Sequence, residues 1–142
     1  MPVKFVRVIF PLALPELYTY SVPDLLCEDI KIGIRVEVPL KNKLYSAIVA
    51  ELHEDIKLTY KTKPIISILD NVPLLTERQL NFWQWMASYY CCTVGEVMNV
   101  AMPAGLKLES ETRVVFNGEI HDITDQLSDD EYLVAEAVSI QN

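Results

Sequence analysis

The stretch Pro11-Leu12-Ala13-Leu14-Pro15-Glu16-Leu17-Tyr18-Thr19-Tyr20-Ser21-Val22-Pro23 decides how this chain is read. Three prolines remove backbone donors and rule out a helix through it. What remains between Pro15 and Pro23 is extended and short. A period of two puts Tyr18 and Tyr20 on one face and Thr19 on the other. Two rings beside a polar side chain form either a small pocket or half of an ordinary β-core. Both readings stay open on these residues alone.

Outward from that stretch, the first half of the chain reads as β. Val3 to Phe10 alternates around Lys4 and Arg7. After Pro23 comes a loop, then a turn at Gly33. Ile34, Val36 and Val38 alternate with Arg35 and Glu37, the pattern of a half-buried strand. Lys41-Asn42-Lys43 reads as a hairpin tip before a strand over Leu44 to Leu52. His53 to Lys63 is a polar connection, and Ile65 to Leu69 is a further β-rich run. Short strands with polar turns predict a small antiparallel barrel or curled sheet, OB-like.

The period then changes. Thr76-Glu77-Arg78-Gln79 is a capping box, followed by Phe82, Trp83, Met86, Tyr89 and Tyr90 at helical spacing. The spacing predicts a helix over 77–90, with those rings as its core stripe and Trp85 off the stripe. Thr93-Val94-Gly95-Glu96 is a second capping box and opens a shorter helix through Val97, Met98 and Ala101, ended by Pro103 and Gly105. The fold class is therefore α+β, mainly β, with one long and one short helix packed on the sheet. The first domain is placed at 1–105. In 106–142, Leu106 to Thr112 reads as a linker, Arg113 to Phe116 as one more strand, and Ser128-Asp129-Asp130-Glu131 as a third cap, opening a helix over 129–140. That helix has no core of its own, so the chain reads as ending inside a second domain.

Composition narrows the function classes. The chain has 142 residues and a net charge of −8. Residues 1–105 hold 10 Lys and Arg against 11 Asp and Glu, whereas 106–142 hold 2 against 9. Within 31–63 there are seven basic residues and four acidic ones. Acidity thus belongs to the tail, and the middle of the first domain is locally basic. That suits contact with a few phosphates rather than a broad footprint. No apolar run reaches membrane-spanning length and the N-terminus lacks a signal-peptide pattern, so a cytoplasmic protein is expected. Cys27, Cys91 and Cys92 give neither a disulfide framework nor metal spacing.

Enzyme motifs are missing. His53 and His121 have no spaced partners, and no phosphate-binding glycine loop or nucleophile elbow is present. Asp129 and Asp130 are explained by the helix N-terminus they precede. No catalytic, metal or cofactor site is expected in these residues. Trp83, Trp85, Tyr89 and Tyr90 suggest a base-stacking platform or, better, a core stripe.

In order along the chain stand Pro11-Leu12, then Tyr18-Thr19-Tyr20-x-Val22-Pro23, then Gly33-x-Arg35-Val36-x-Val38-Pro39. Trp85-x-Ala87-x-Tyr89-Tyr90-x4-Gly95-Glu96-Val97-x5-Pro103 completes the set. No single piece is specific. The ordered set over 2–105 resembles the N-terminal region of the bacterial PriA family of replication-restart helicases, and the tail resembles the start of the winged-helix domain that follows there.

The resemblance implies a module that binds the 3′ end of the nascent leading strand at a stalled fork. It implies a pocket on an aromatic–acid–aromatic tripeptide, falling here on Tyr18, Thr19 and Tyr20. A glycine of that pocket falls on Lys41 and a lysine on Lys63, with Lys61, Lys43 and Arg35 as further DNA contacts. Thr19 in place of the acid carries no charge, and Lys41 puts a side chain where the family leaves room. Single-stranded and forked DNA are the implied partners, with other primosome proteins and single-stranded-DNA-binding protein reached through a longer chain. The resemblance places an ATP-dependent 3′-to-5′ helicase activity, ATP with magnesium, and zinc in that longer chain, and the protein at the bacterial nucleoid. The alternative, drawn from the net charge and from Trp85, is a protein-interaction domain that docks replication partners.

Overall fold

The computed structural model describes residues 3–56 and 61–108, together with Ser128, Asp130, Glu131 and Leu133. Two compact units divide the chain at 110/111. In the first, strands β1 (Phe5–Ile9), β2 (Tyr18–Ser21), β3 (Arg35–Leu40), β4 (Lys43–His53) and β5 (Ser67–Ile68) precede helices α1 (Glu77–Tyr89) and α2 (Val94–Ala101). Every ladder is antiparallel and the sheet order is β2-β1-β4-β3-β5. The α+β, mainly β expectation holds. The sheet is curled and not closed by a ladder. One isolated parallel bridge, Ser21 to Pro64, joins the chain ahead of β5 to β2.

The curl has a local cause. On β1, Arg7 pairs with Glu51 of β4 but Val8 pairs with Val49, so Ala50 is the extra residue of a bulge. A bulge bends its strand and steepens the twist. The inner face of the curl is filled by Val6, Val8, Phe10, Tyr20, Val36, Val38, Ala47, Val49 and Ile65. On the other face, Ile9 and Ile48 are covered by Leu80, Trp83, Ala87, Val97 and Met98 from the helices. Both faces of mid-β4 are therefore buried, which is why Ala47-Ile48-Val49 is a continuous apolar run.

Two glycines fix how these layers meet. Gly33 has φ +83°, and a Cβ there would lie 1.7 Å from the Leu75 carbonyl oxygen. Its own carbonyl accepts from the N–H groups of Leu74 and Leu75, tying the approach to α1 onto the start of β3. At Gly95 a Cβ would lie 1.9 Å from the Leu12 carbonyl oxygen, so only glycine lets α2 sit against the segment after β1.

Both capping boxes of this unit form, at Thr76/Gln79 and Thr93/Glu96. At the end of α1, Cys91 takes φ 53° and the Cys92 N–H donates to the Ala87 carbonyl, a Schellman-type stop. The expected stripe is corrected. The buried line of α1 is Leu80, Trp83 and Ala87, while Phe82, Tyr89 and Tyr90 face outward with Trp85. Periodicity marks residues that share a face; it does not say which face the sheet covers.

Residues 106–108, expected as linker, are fixed to the sheet. The Leu106 carbonyl accepts from Arg35 Nη1 at 3.1 Å and from the Ser46 hydroxyl at 3.2 Å, and the Leu108 carbonyl accepts from the Ser46 N–H. In the second unit, the Ser128 N–H and hydroxyl both donate to Glu131 Oε2 at the start of a helical turn. Those bonds hold the Glu131 carboxyl below its usual range. The expected strand at 113–116 and most of the helix at 129–140 lie outside the described residues.

Candidate nucleic-acid interface

The tripeptide forms most of β2, at one edge of the sheet. Tyr20 pairs with Val6 and Tyr18 with Val8, so both tyrosines face the interior as the alternation requires. Their environments then diverge. The Tyr20 ring is buried, and its hydroxyl donates to the Pro39 carbonyl at 2.9 Å. Burial, and then the Tyr18 hydroxyl nearby, push its pKa up to about 12. Tyr18 is 40% exposed at the rim. Of the pair, Tyr18 is the ring with surface to offer.

Phe10 is the hub beneath them. Its ring meets Tyr18 edge-on at 5.8 Å, Tyr20 at 6.2 Å, and Tyr45 of β4 edge-on at 5.8 Å. Edge-to-face pairs at these separations are favourable beyond the area they bury. Phe10 and Tyr45 were not among the sequence candidates. The signal for Phe10 was the last beat of Val6, Val8, Phe10. For Tyr45 it was the two-residue loop Lys41-Asn42, which fixes the register that sets Tyr45 opposite Val38.

Thr19 lies on the opposite face, across from Arg7, and is largely buried. Its backbone is more telling. The Ser21 N–H donates to the Lys63 carbonyl and the Ser21 carbonyl accepts from the Ile65 N–H, both away from β1. Thr19 has the same parity, so its N–H and C=O point to the same outer edge. Among the described residues no backbone bond reaches them. One backbone donor and one acceptor thus have no partner among the described residues, beside the exposed Tyr18 ring.

The predicted basic residues stand in different surroundings. Lys63 is exposed, with its backbone against Ser21. Lys41 is exposed on the β3–β4 hairpin tip, two residues after the Pro39 carbonyl that holds Tyr20. Its φ of 55° explains why glycine suits that position. Lys43 is exposed at the start of β4 beside the same tip, and Lys61 is exposed two residues before Lys63. Arg35 is differently employed. Its Nη2 and Nε reach the two Asp70 oxygens at 2.6 and 2.9 Å, and Nη1 holds Leu106. Those bonds raise the guanidinium pKa and hold the Asp70 carboxyl below its ordinary range. Arg35 clamps the end of the first unit, with a bond from each of its three guanidinium nitrogens committed to Asp70 or Leu106.

The fold is a small curled β-module whose edge strand β2 carries the exposed Tyr18 ring, with exposed Lys63 beside it. The model of the 3′DNA-binding domain (3′BD) of PriA matches residues 7–103, and the chain belongs to that family. Over 105 residues it is 36% identical to the replication restart protein PriA of Haemophilus influenzae, covering 73% of this chain and 14% of that protein. To the PriA proteins of Synechocystis and Buchnera aphidicola it is 30% and 28% identical, covering 72% and 69% of this chain. It spans 12% and 13% of those two proteins.

Proposed function

We propose that this chain captures the 3′ terminus of a DNA strand at a stalled replication fork. The terminal base lies on the exposed Tyr18 ring, the edge N–H and C=O of Thr19 bond to the terminal nucleotide, and Lys41 and Lys63 meet its phosphates. The observation that carries the reading is the edge of β2 at Thr19, unpaired among the described residues and flanked by Tyr18 and Lys63. Backbone groups and a ring face accept any base, which an end-binder requires. Stacking on an aromatic ring contributes on the order of 1–3 kcal/mol without sequence preference.

In a longer protein such a module orients an ATP-driven 3′-to-5′ helicase, with magnesium and zinc bound elsewhere. Other primosome proteins and single-stranded-DNA-binding protein are partners of that whole, at the bacterial nucleoid. The test is titration of one labelled oligonucleotide as a linear strand and as a circle. Tighter binding of the linear form is expected, and equal affinity overturns the reading. A second reading, a protein-docking domain, is favoured by the exposed rings of α1. Undiminished capture of replication proteins by a Tyr18→Ala variant that no longer binds DNA would support it.

A further inference from the structure

We propose that Arg7 is a phosphate contact of this same site, taking the terminal or last internucleotide phosphate of a strand whose end lies at Thr19. The inference rests on the 3′-end reading above. Arg7 and Thr19 are direct partners across β1 and β2. The neighbouring residue 22 donates to the Lys4 carbonyl, so the hydrogen-bonded pairs are the even-numbered ones of β2. Arg7–Thr19 is then a non-hydrogen-bonded pair, the kind whose side chains lie closest. Arg7 therefore stands beside the open edge, on the face that Thr19 shares.

Its guanidinium is available. The Arg7 side chain is 46% exposed, and among the described residues its hydrogen bond is a single 3.4 Å contact to Glu51 Oε2. An exposed pair of that length stabilises little. Glu51 lies on β4, on the side of Arg7 away from Thr19, and keeps a second partner, His53 Nε2, at 3.0 Å. Arg7 can turn toward β2 without stranding the carboxylate. Arg35 has no such freedom, held by two short bonds to Asp70.

The test is anisotropy titration of the chain with one oligonucleotide ending in a 3′-hydroxyl, the same one ending in a 3′-phosphate, and its circular form, each over a range of salt. Arg7→Gln is expected to weaken the linear strands about tenfold, as loss of a charge-assisted bond does. It should also flatten the salt slope by about 0.7, one phosphate on a single strand. Arg7→Lys should keep the slope. Glu51→Gln should tighten binding a few-fold, and that gain should vanish in the double variant. A larger loss on the 3′-phosphate strand assigns Arg7 to the terminal phosphate; an equal loss on both linear strands assigns it to the internucleotide one. If Arg7→Gln keeps the wild-type slope on both linear strands while the linear form still binds better than the circle, the Arg7 contact is overturned and the end-binding reading survives. If the wild type binds circle and linear strand alike, the end-binding reading itself fails.

Discussion

Two groups of aromatic rings, one around Phe10 and one on α1, are built on opposite principles. In the first, strands bring Tyr18, Tyr20 and Tyr45 to one phenyl hub, and the Tyr20 hydroxyl is tied to Pro39. In the second, a single helix face lines up Phe82, Trp85 and Tyr89, with ring separations of 5.8 and 5.2 Å and planes 12° and 22° apart. All three are more than half exposed. The first group is part of the core and offers one ring at its rim. The second lies on the exposed side of α1, whose buried residues are Leu80, Trp83 and Ala87. Rings near one another in sequence need not share a role; what covers the face behind them decides it.

The sharpest test of this contrast is a pair of truncations. Tyr20→Ala should cost about 3–5 kcal/mol in denaturant unfolding, the range for emptying a buried aromatic site. Trp85→Ala, on an uncovered face, should stay within about 1 kcal/mol. Comparable losses for the two would break the distinction between the groups.

The sequence showed more of the fold than of the site, and particular residues explain the gap. Strand alternation and two capping boxes located the elements because each signal is local: Thr76 and Gln79 are three residues apart. Alternation also placed Tyr18 and Tyr20 on one face. It said nothing of depth, because Tyr20 meets Pro39 of β3 and Phe10 from the segment just after β1, both remote in sequence. Arg35 read as a free cation because its partner Asp70 is 35 residues away. Arg7 became a neighbour of Thr19 only through a register set by the irregular segment from Phe10 to Leu17.

The two arginines extend the comparison from rings to charges. Arg35→Met should destabilise by about 2 kcal/mol, less than a fully buried pair because both side chains keep some solvent contact. The pair also has a pH signature. Asp70 titrates below its ordinary 3.8 when folded. Its contribution is therefore complete above that value and is lost as pH falls through the lower folded one. Arg35→Met should flatten the acid limb of a stability–pH profile, whereas Arg7→Gln should leave it as it is. A wild-type acid limb in Arg35→Met would show that the clamp contributes nothing.

Tyr20→Phe isolates the hydroxyl from the ring. Losing one neutral hydrogen bond should cost about 1 kcal/mol at neutral pH. The alkaline side reads the same group with the opposite sign to Asp70. The folded pKa is raised from 10.0 to about 12. The stability it contributes is thus present below pH 10 and lost as pH rises through the folded value. Tyr20→Phe should abolish that alkaline loss, and Tyr18→Phe, at the exposed rim, should not. If both variants keep the wild-type alkaline limb, the burial of Tyr20 is not what sets it.

The smallest effect expected is at Lys41, where fold and site pull in different directions. A lysine at φ 55° carries left-handed strain of about 1 kcal/mol that glycine does not. Lys41→Gly should therefore raise stability by up to about 1 kcal/mol, offset in part by glycine's larger unfolded-state entropy. Binding should move the other way, with the salt slope falling by about 0.7 if the side chain meets one phosphate. A protein made more stable and less able to hold DNA by one substitution is the signature of a residue kept in a strained turn for its charge. Unchanged binding would leave Lys41 as a strained surface residue with no part in the site, and would concentrate recognition on the β2 edge itself.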